Sequence, residues 1–119
     1  MEISILNRNL YDSIMELGKL QEEKLAIGTK HRIQKILKSL VEHYEPFKES
    51  HLEILKKYNA VEKEGRLEIE NPSPEFVSEF RELSDQENRI LIDPIEYSKI
   101  DDIETSTVYN FDILDKFTI

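Results

Sequence analysis

The chain has 119 residues, 39% hydrophobic and 34% charged, with a formal net charge of −9 and no cysteine. That length fits one domain with a modest core. The missing cysteines exclude a disulfide framework, a thiolate metal site and a thiol nucleophile, and no apolar run approaches the roughly 20 residues a membrane-spanning helix needs.

The N-terminus, MEISILNRNL, has no basic flank ahead of an apolar core, so no secretory signal is expected and an intracellular setting follows. Charge is unevenly spread. Residues 1–60 hold ten Lys/Arg against nine Asp/Glu, whereas residues 61–119 hold six against sixteen. Binding to nucleic acid draws on Lys and Arg to displace counterions, so this acidic half disfavours it. Lys30, Arg32, Lys35 and Lys38 form a basic stretch, read as the solvated flank of a helix.

In chain order, Glu2-Ile3-Ser4-Ile5 alternates with period two and predicts a short strand. Asn7 or Asn9 can cap a first helix beginning near Leu10, taken as residues 8–20, whose buried face is Leu10, Ile14, Leu17 and Leu20. Gly28 suits a chain reversal and Thr29 a second cap, opening a helix over 29–58. Pro46 lies inside it and removes one internal hydrogen bond. Because the apolar phase runs through Pro46 unchanged, a kink is expected there and not a break.

That long helix carries a coiled-coil-like seam. Ile33, Leu40, Phe47 and Ile54 recur every seven residues, and Leu37, Tyr44, His51 and Tyr58 form a second series four places along. A helix cannot bury its own stripe, and the first helix is about half as long as the second. These eight residues are therefore expected to form a protein interface, self-association included. His51 at a seam position can also specify register between helices.

Beyond the seam, Asn59 and Glu62–Arg66 read as a polar turn and Leu67–Ile69 as a short strand. Ser73-Pro74-Glu75 has the cap, the first-turn proline and the acid that a helix start needs, predicting a third helix over 74–85 with Phe76, Val77, Phe80 and Leu83 buried. Arg89–Ile92 is β-prone. Ile95, Tyr97, Ile100 and Ile103 are spaced as anchors of an extended tail, and Asn110 can cap a last turn holding Phe111, Ile113, Leu114 and Phe117.

The order of Lys24-Leu25-Ala26-Ile27-Gly28, a charged helix with Tyr44 and Lys56-Lys57-Tyr58, then Phe76–Leu83, an isoleucine-rich strand and an Asp- and Leu-containing tail resembles a known group. These are the small helical-hairpin proteins of tailed bacteriophages, a family whose domain has no assigned function. The resemblance covers residues 10–117. It departs at Gly28, where family members keep a longer side chain, and at Pro46. It implies a phage origin and a virion-structural or assembly role, with no catalytic residues to carry over.

Chemistry-bearing patterns are sparse. The residues three before His31, His43 and His51 are Gly28, Leu40 and Lys48, so the Glu-x-x-His motif of di-iron bundles is missing. No HExxH or calcium-loop spacing occurs, and the three glycines lie far apart. Tyr44, Phe47 and Tyr58 share the helical phase of Ile and Leu, which favours packing over base stacking.

The sequence thus predicts a single mainly-α domain, 1–119. Its parts are an antiparallel helical hairpin (8–58) and a second portion (59–119) of short strands, a third helix and an acidic tail. No enzyme activity and no cofactor are expected. The expected role is a bacteriophage structural or assembly component located in the virion or host cytoplasm, with other phage structural proteins or further copies of itself as partners and no membrane contact. The alternative is a small acidic binder or inhibitor of a host protein.

Overall fold

Ile3 and Ile5 alternate with Glu2 and Ser4. This pattern forms strand β1 (Glu2–Leu6) in the computed structural model, which describes residues 1–119. Helix α1 (Asn7–Gln21) starts directly from the strand, with Leu6 at the cap position and no side-chain cap. The expected capping by Asn7 or Asn9 does not occur. Asn7 is instead buried as the first helical residue. Its Nδ2 donates to the Leu83 carbonyl at 2.8 Å, and its Oδ1 accepts from Asn88 Nδ2 at 2.9 Å. A buried polar side chain has to be hydrogen-bonded, and for Asn7 the partners come from elsewhere in the fold.

Helix α2 (Ile27–Lys57) begins two residues earlier than expected. Leu25 packs against the core, so the chain reverses over Glu22–Ala26. Gly28 and Thr29 consequently lie in the first turn, neither as the reversal nor as the cap. The helix continues through Pro46, which sits on its exposed side where a missing hydrogen bond leaves a carbonyl to water. Its first half is covered by α1: Leu10, Leu17 and Leu20 meet Ile33, Ile36 and Leu40 in one cluster.

The short strand expected at Leu67–Ile69 is present as β3 (Arg66–Glu68), and part of the stretch read as a polar turn is its partner β2 (Val61–Lys63), the two forming a hairpin. Glu64 and Gly65 connect its strands with φ of 51° and 78°, the paired positive values of a type I′ turn. Helix α3 (Pro74–Ser84) starts as predicted, with Ser73 accepting from the Phe76 amide at 3.1 Å. Val77 is exposed, contrary to expectation, because the inner face of α3 is Phe76, Phe80 and Leu83.

Strand β4 (Glu87–Leu91) pairs antiparallel with β1 in the register Ile3↔Ile90 and Ile5↔Asn88. Ile3, Ile5, Ile90 and Ile92 face inward and cap the helical core. The tail then crosses α1. Ile95, Ile100, Leu114 and Phe117 are buried, while Tyr97, read as an anchor, and Phe111, read as part of the last turn, stay nearly half exposed and touch each other edge-on. Asn110 caps the single-turn helix α4 (Phe111–Leu114) by accepting from Asp112 N at 3.1 Å.

Two carboxylates on and just past α1 fasten the tail. Glu23 accepts from Thr105 and Tyr109 hydroxyls, both at 2.7 Å, and Glu16 accepts from the Asn110 amide at 3.2 Å. The hydroxyls of Thr105 and Tyr109 hold the Glu23 carboxyl below its usual range. Four helices account for just over half the chain, so the architecture is mainly α with two small antiparallel sheets.

Candidate protein-interaction face

Seven of the eight seam residues divide at the middle of α2, and Ile54, buried near its far end, is the exception. Ile33 and Leu40 are wholly buried and Ile54 is nearly so, all within the protein's own core, which makes them unavailable to a partner. Leu37 is half-covered against the same core. The expectation that the whole stripe needs an outside partner is therefore corrected for these positions: α1, the sheet and the tail cover the first half.

Beyond Leu40, Ile54 apart, the cover becomes aromatic and partial. Tyr44, Phe47, His51 and Tyr58 each keep part of their surface exposed. Their rings join others in an unbroken line. Tyr11 of α1 lies 5.9 Å from Tyr44 between centroids, Tyr44 is 6.2 Å from Phe47, and Phe47 is 6.3 Å from His51. His51 is 4.8 Å from Phe80, Phe80 6.0 Å from Phe76, and Phe76 5.5 Å from Tyr58. These separations are those of favourable aromatic pairs.

Local sequence explains the geometry. Spacings of three, four and seven residues put Tyr44, Phe47, His51 and Tyr58 on one face of α2, and Phe76 and Phe80 are one turn apart on α3. A polar clasp fixes the two helices at the far end. Glu79 accepts from Tyr58 Oη at 2.7 Å and from Lys57 Nζ at 3.0 Å. The Tyr58 hydroxyl and then Lys57 hold the Glu79 carboxyl below its ordinary value.

His51, read from sequence as a register element between helices, meets Phe80 of its own chain. Burial pushes its imidazole below the ordinary histidine value, which favours the neutral ring. His43 Nδ1 lies 2.8 Å from the Ser39 carbonyl, and His31 is exposed. The three histidines thus stand apart, and no group of three His, Asp or Glu side chains is placed to hold a metal ion.

An open groove of about 550 Å³ separates α2 from the end of β4, with Ile36, Leu91 and Ile92 on its walls. Lys35 bridges it to Asp93 at 2.9 Å, which lowers the Asp93 carboxyl. That ion pair ties α2 to the chain just past β4, and Lys38, Ser39 and Glu42 of α2 line the same groove.

Tyr11, Phe76 and Phe80 join this face from outside the heptad pattern of α2. The four-residue spacing of Phe76 and Phe80 was visible, but which helix they would meet was not. The chain matches no protein-family model, no curated protein and no solved structure. No helix is long and apolar enough to cross a membrane.

Proposed function

We propose that this chain is a non-enzymatic component of a tailed-bacteriophage particle or of its assembly, acting by protein–protein contact through the aromatic face of α2 and α3. The observation that supports it is the half-covered line from Tyr44 through Phe47, His51 and Phe80 to Tyr58. Aromatic side chains bring large contact area at low entropic cost, and they dominate the centres of protein interfaces. Ring edges left in water gain when a neighbour completes their burial.

The phage setting rests on the family resemblance of residues 10–117. The partner is another structural protein of the particle or a further copy of this chain.

The test is peptide mass spectrometry on purified particles of the phage that encodes the chain, paired with a Phe47→Ser variant. Recovery of the wild-type protein at fixed stoichiometry, lost in the variant while the free variant still folds, is the expected result. Absence from particles and from every assembly intermediate would overturn the reading. Recovery of one host protein at 1:1 by the wild type alone would favour the acidic-binder alternative.

A further inference from the structure

The outer edge of β4 is open. Met1 and Ile92 exchange backbone hydrogen bonds at 3.1 and 2.9 Å, and the Asn7 amide donates to the Gln86 carbonyl at 3.0 Å. Bonded pairs alternate along an antiparallel ladder. With Ile3 opposite Ile90 and Ile5 opposite Asn88, β1 therefore uses the amides and carbonyls of Asn88 and Ile90. Those of Glu87, Arg89 and Leu91 point the other way.

On β1 the corresponding edge is partly occupied, since Lys116 Nζ donates to the Ser4 carbonyl at 3.1 Å. The sheet has only two strands, so β4 has no neighbour on its far side. Glu87 and Arg89 are exposed, and Leu91 is 76% exposed. The groove beside Leu91 keeps α2 back from the strand at that end.

An unpaired edge recruits another strand unless lysines, prolines or bulges deter it. β4 has no lysine, proline or bulge, and the two charges that would otherwise guard its edge are of opposite sign, so a second copy can match them. The strand carries Glu87 and Arg89 two residues apart on one face, and they already lie 3.9 Å from each other. We propose that β4 pairs antiparallel with β4 of a second copy about a two-fold axis at Asn88, giving one continuous sheet in the order β1-β4-β4-β1.

The charge pattern selects this register. With the axis at Asn88, Glu87 faces Arg89 of the other copy and Arg89 faces Glu87, and both pairs are backbone-bonded. With the axis at Arg89, that residue faces its own copy. With the axis at Ile90, Glu87 faces Asp93. Like charges directly opposed are unfavourable, so both shifted registers are disfavoured. A two-fold contact needs a self-complementary patch, and an acid and a base alternating along one strand supply it. The surface is separate from the aromatic face, so either reading can fail alone.

Sedimentation equilibrium of the full chain tests it. The weight-average mass should rise from 14.1 kDa toward twice that value with concentration, less so in high salt. E87R and R89E should each weaken dimerisation about tenfold by opposing like charges, and the joint E87R/R89E exchange should restore it. R89P should abolish it, because proline removes the outward amide while the β1 ladder keeps its bonds. Circular dichroism melting shows that each variant folds, and Phe47→Ser should leave the dimer intact. A wild-type monomer at every concentration overturns the proposal, as does a dimer indifferent to R89P, or reversals that the joint exchange fails to rescue.

Discussion

His51 sits where Phe47, Phe80 and the body of α2 meet, and its titration belongs to that environment. Burial lowers its folded pKa below the unfolded value of about 6.5. The unfolded chain therefore binds the proton more readily. Stability from this residue is full above pH 6.5 and declines as pH falls from there to the folded value. Replacing His51 by Leu removes that penalty. Melting temperatures of wild type and His51→Leu should run parallel above pH 7 and diverge below about 6.5, with the wild type falling faster. A constant gap from pH 7.5 to 5 would show that His51 is as solvated folded as unfolded. Asn7 makes a different point at the same scale. Its side chain could satisfy a local amide, as the sequence reading assumed, but the Leu83 carbonyl and Asn88 compete for it across the fold. Local chemistry could not rank those options.

Among the elements, those written in local chemistry were legible and those set by distant pairing were not. Helix α3 starts where Ser73, Pro74 and Glu75 put it, because a hydroxyl acceptor, a pre-set φ and a favourable charge act within one turn. Ser73→Ala should cost about 1 kcal/mol in denaturant unfolding with an unchanged m-value. A loss below about 0.3 kcal/mol would mean that packing of Phe76 and Phe80 alone holds the start of the helix. The opening of α2 was misplaced for the opposite reason. Ala26 offers no cap, and the reversal is drawn tight by burial of Leu25, a contact invisible in a window of ten residues. Strand β2 was missed because Val61-Glu62-Lys63 has little β character until Arg66–Glu68 folds back upon it.

At the scale of the whole molecule, the helical hairpin and its stripe are legible in the apolar periodicity, but how much of that stripe the chain covers itself is not. The radius of gyration is 17.1 Å over extents of 48 × 31 × 20 Å, against about 13–14 Å for a compact chain of this length. The excess reflects α2 running past the end of α1 toward α3 and the hairpin. One long helix thus has two energetic halves. Leu40→Ala, wholly buried, should cost about 2–5 kcal/mol. Phe47→Ala, seven residues along the same stripe, should cost no more than about 2 kcal/mol in the isolated protein. Equal losses in chemical denaturation would contradict that division. The candidate interface was legible only in its second half: heptad spacing marks what is apolar, whereas cover is decided by helices, strands and tail brought in from elsewhere.

The strand pairing near the chain's start also constrains the order in which the molecule can form. Met1 and Ile92, bonded to each other, are separated by 91 positions, and Ile95 is bonded to Phe117 and Ile119. During synthesis β1 emerges well before β4 and waits for its partner until the helices between them have followed. The helices can coil early, but closure of the core is deferred until β4 and the tail have emerged. Such long-range closure is slow compared with local helix formation. Nascent chains arrested before β4 should accordingly be protease-sensitive in β1, and resistance there should arrive only once β4 has emerged.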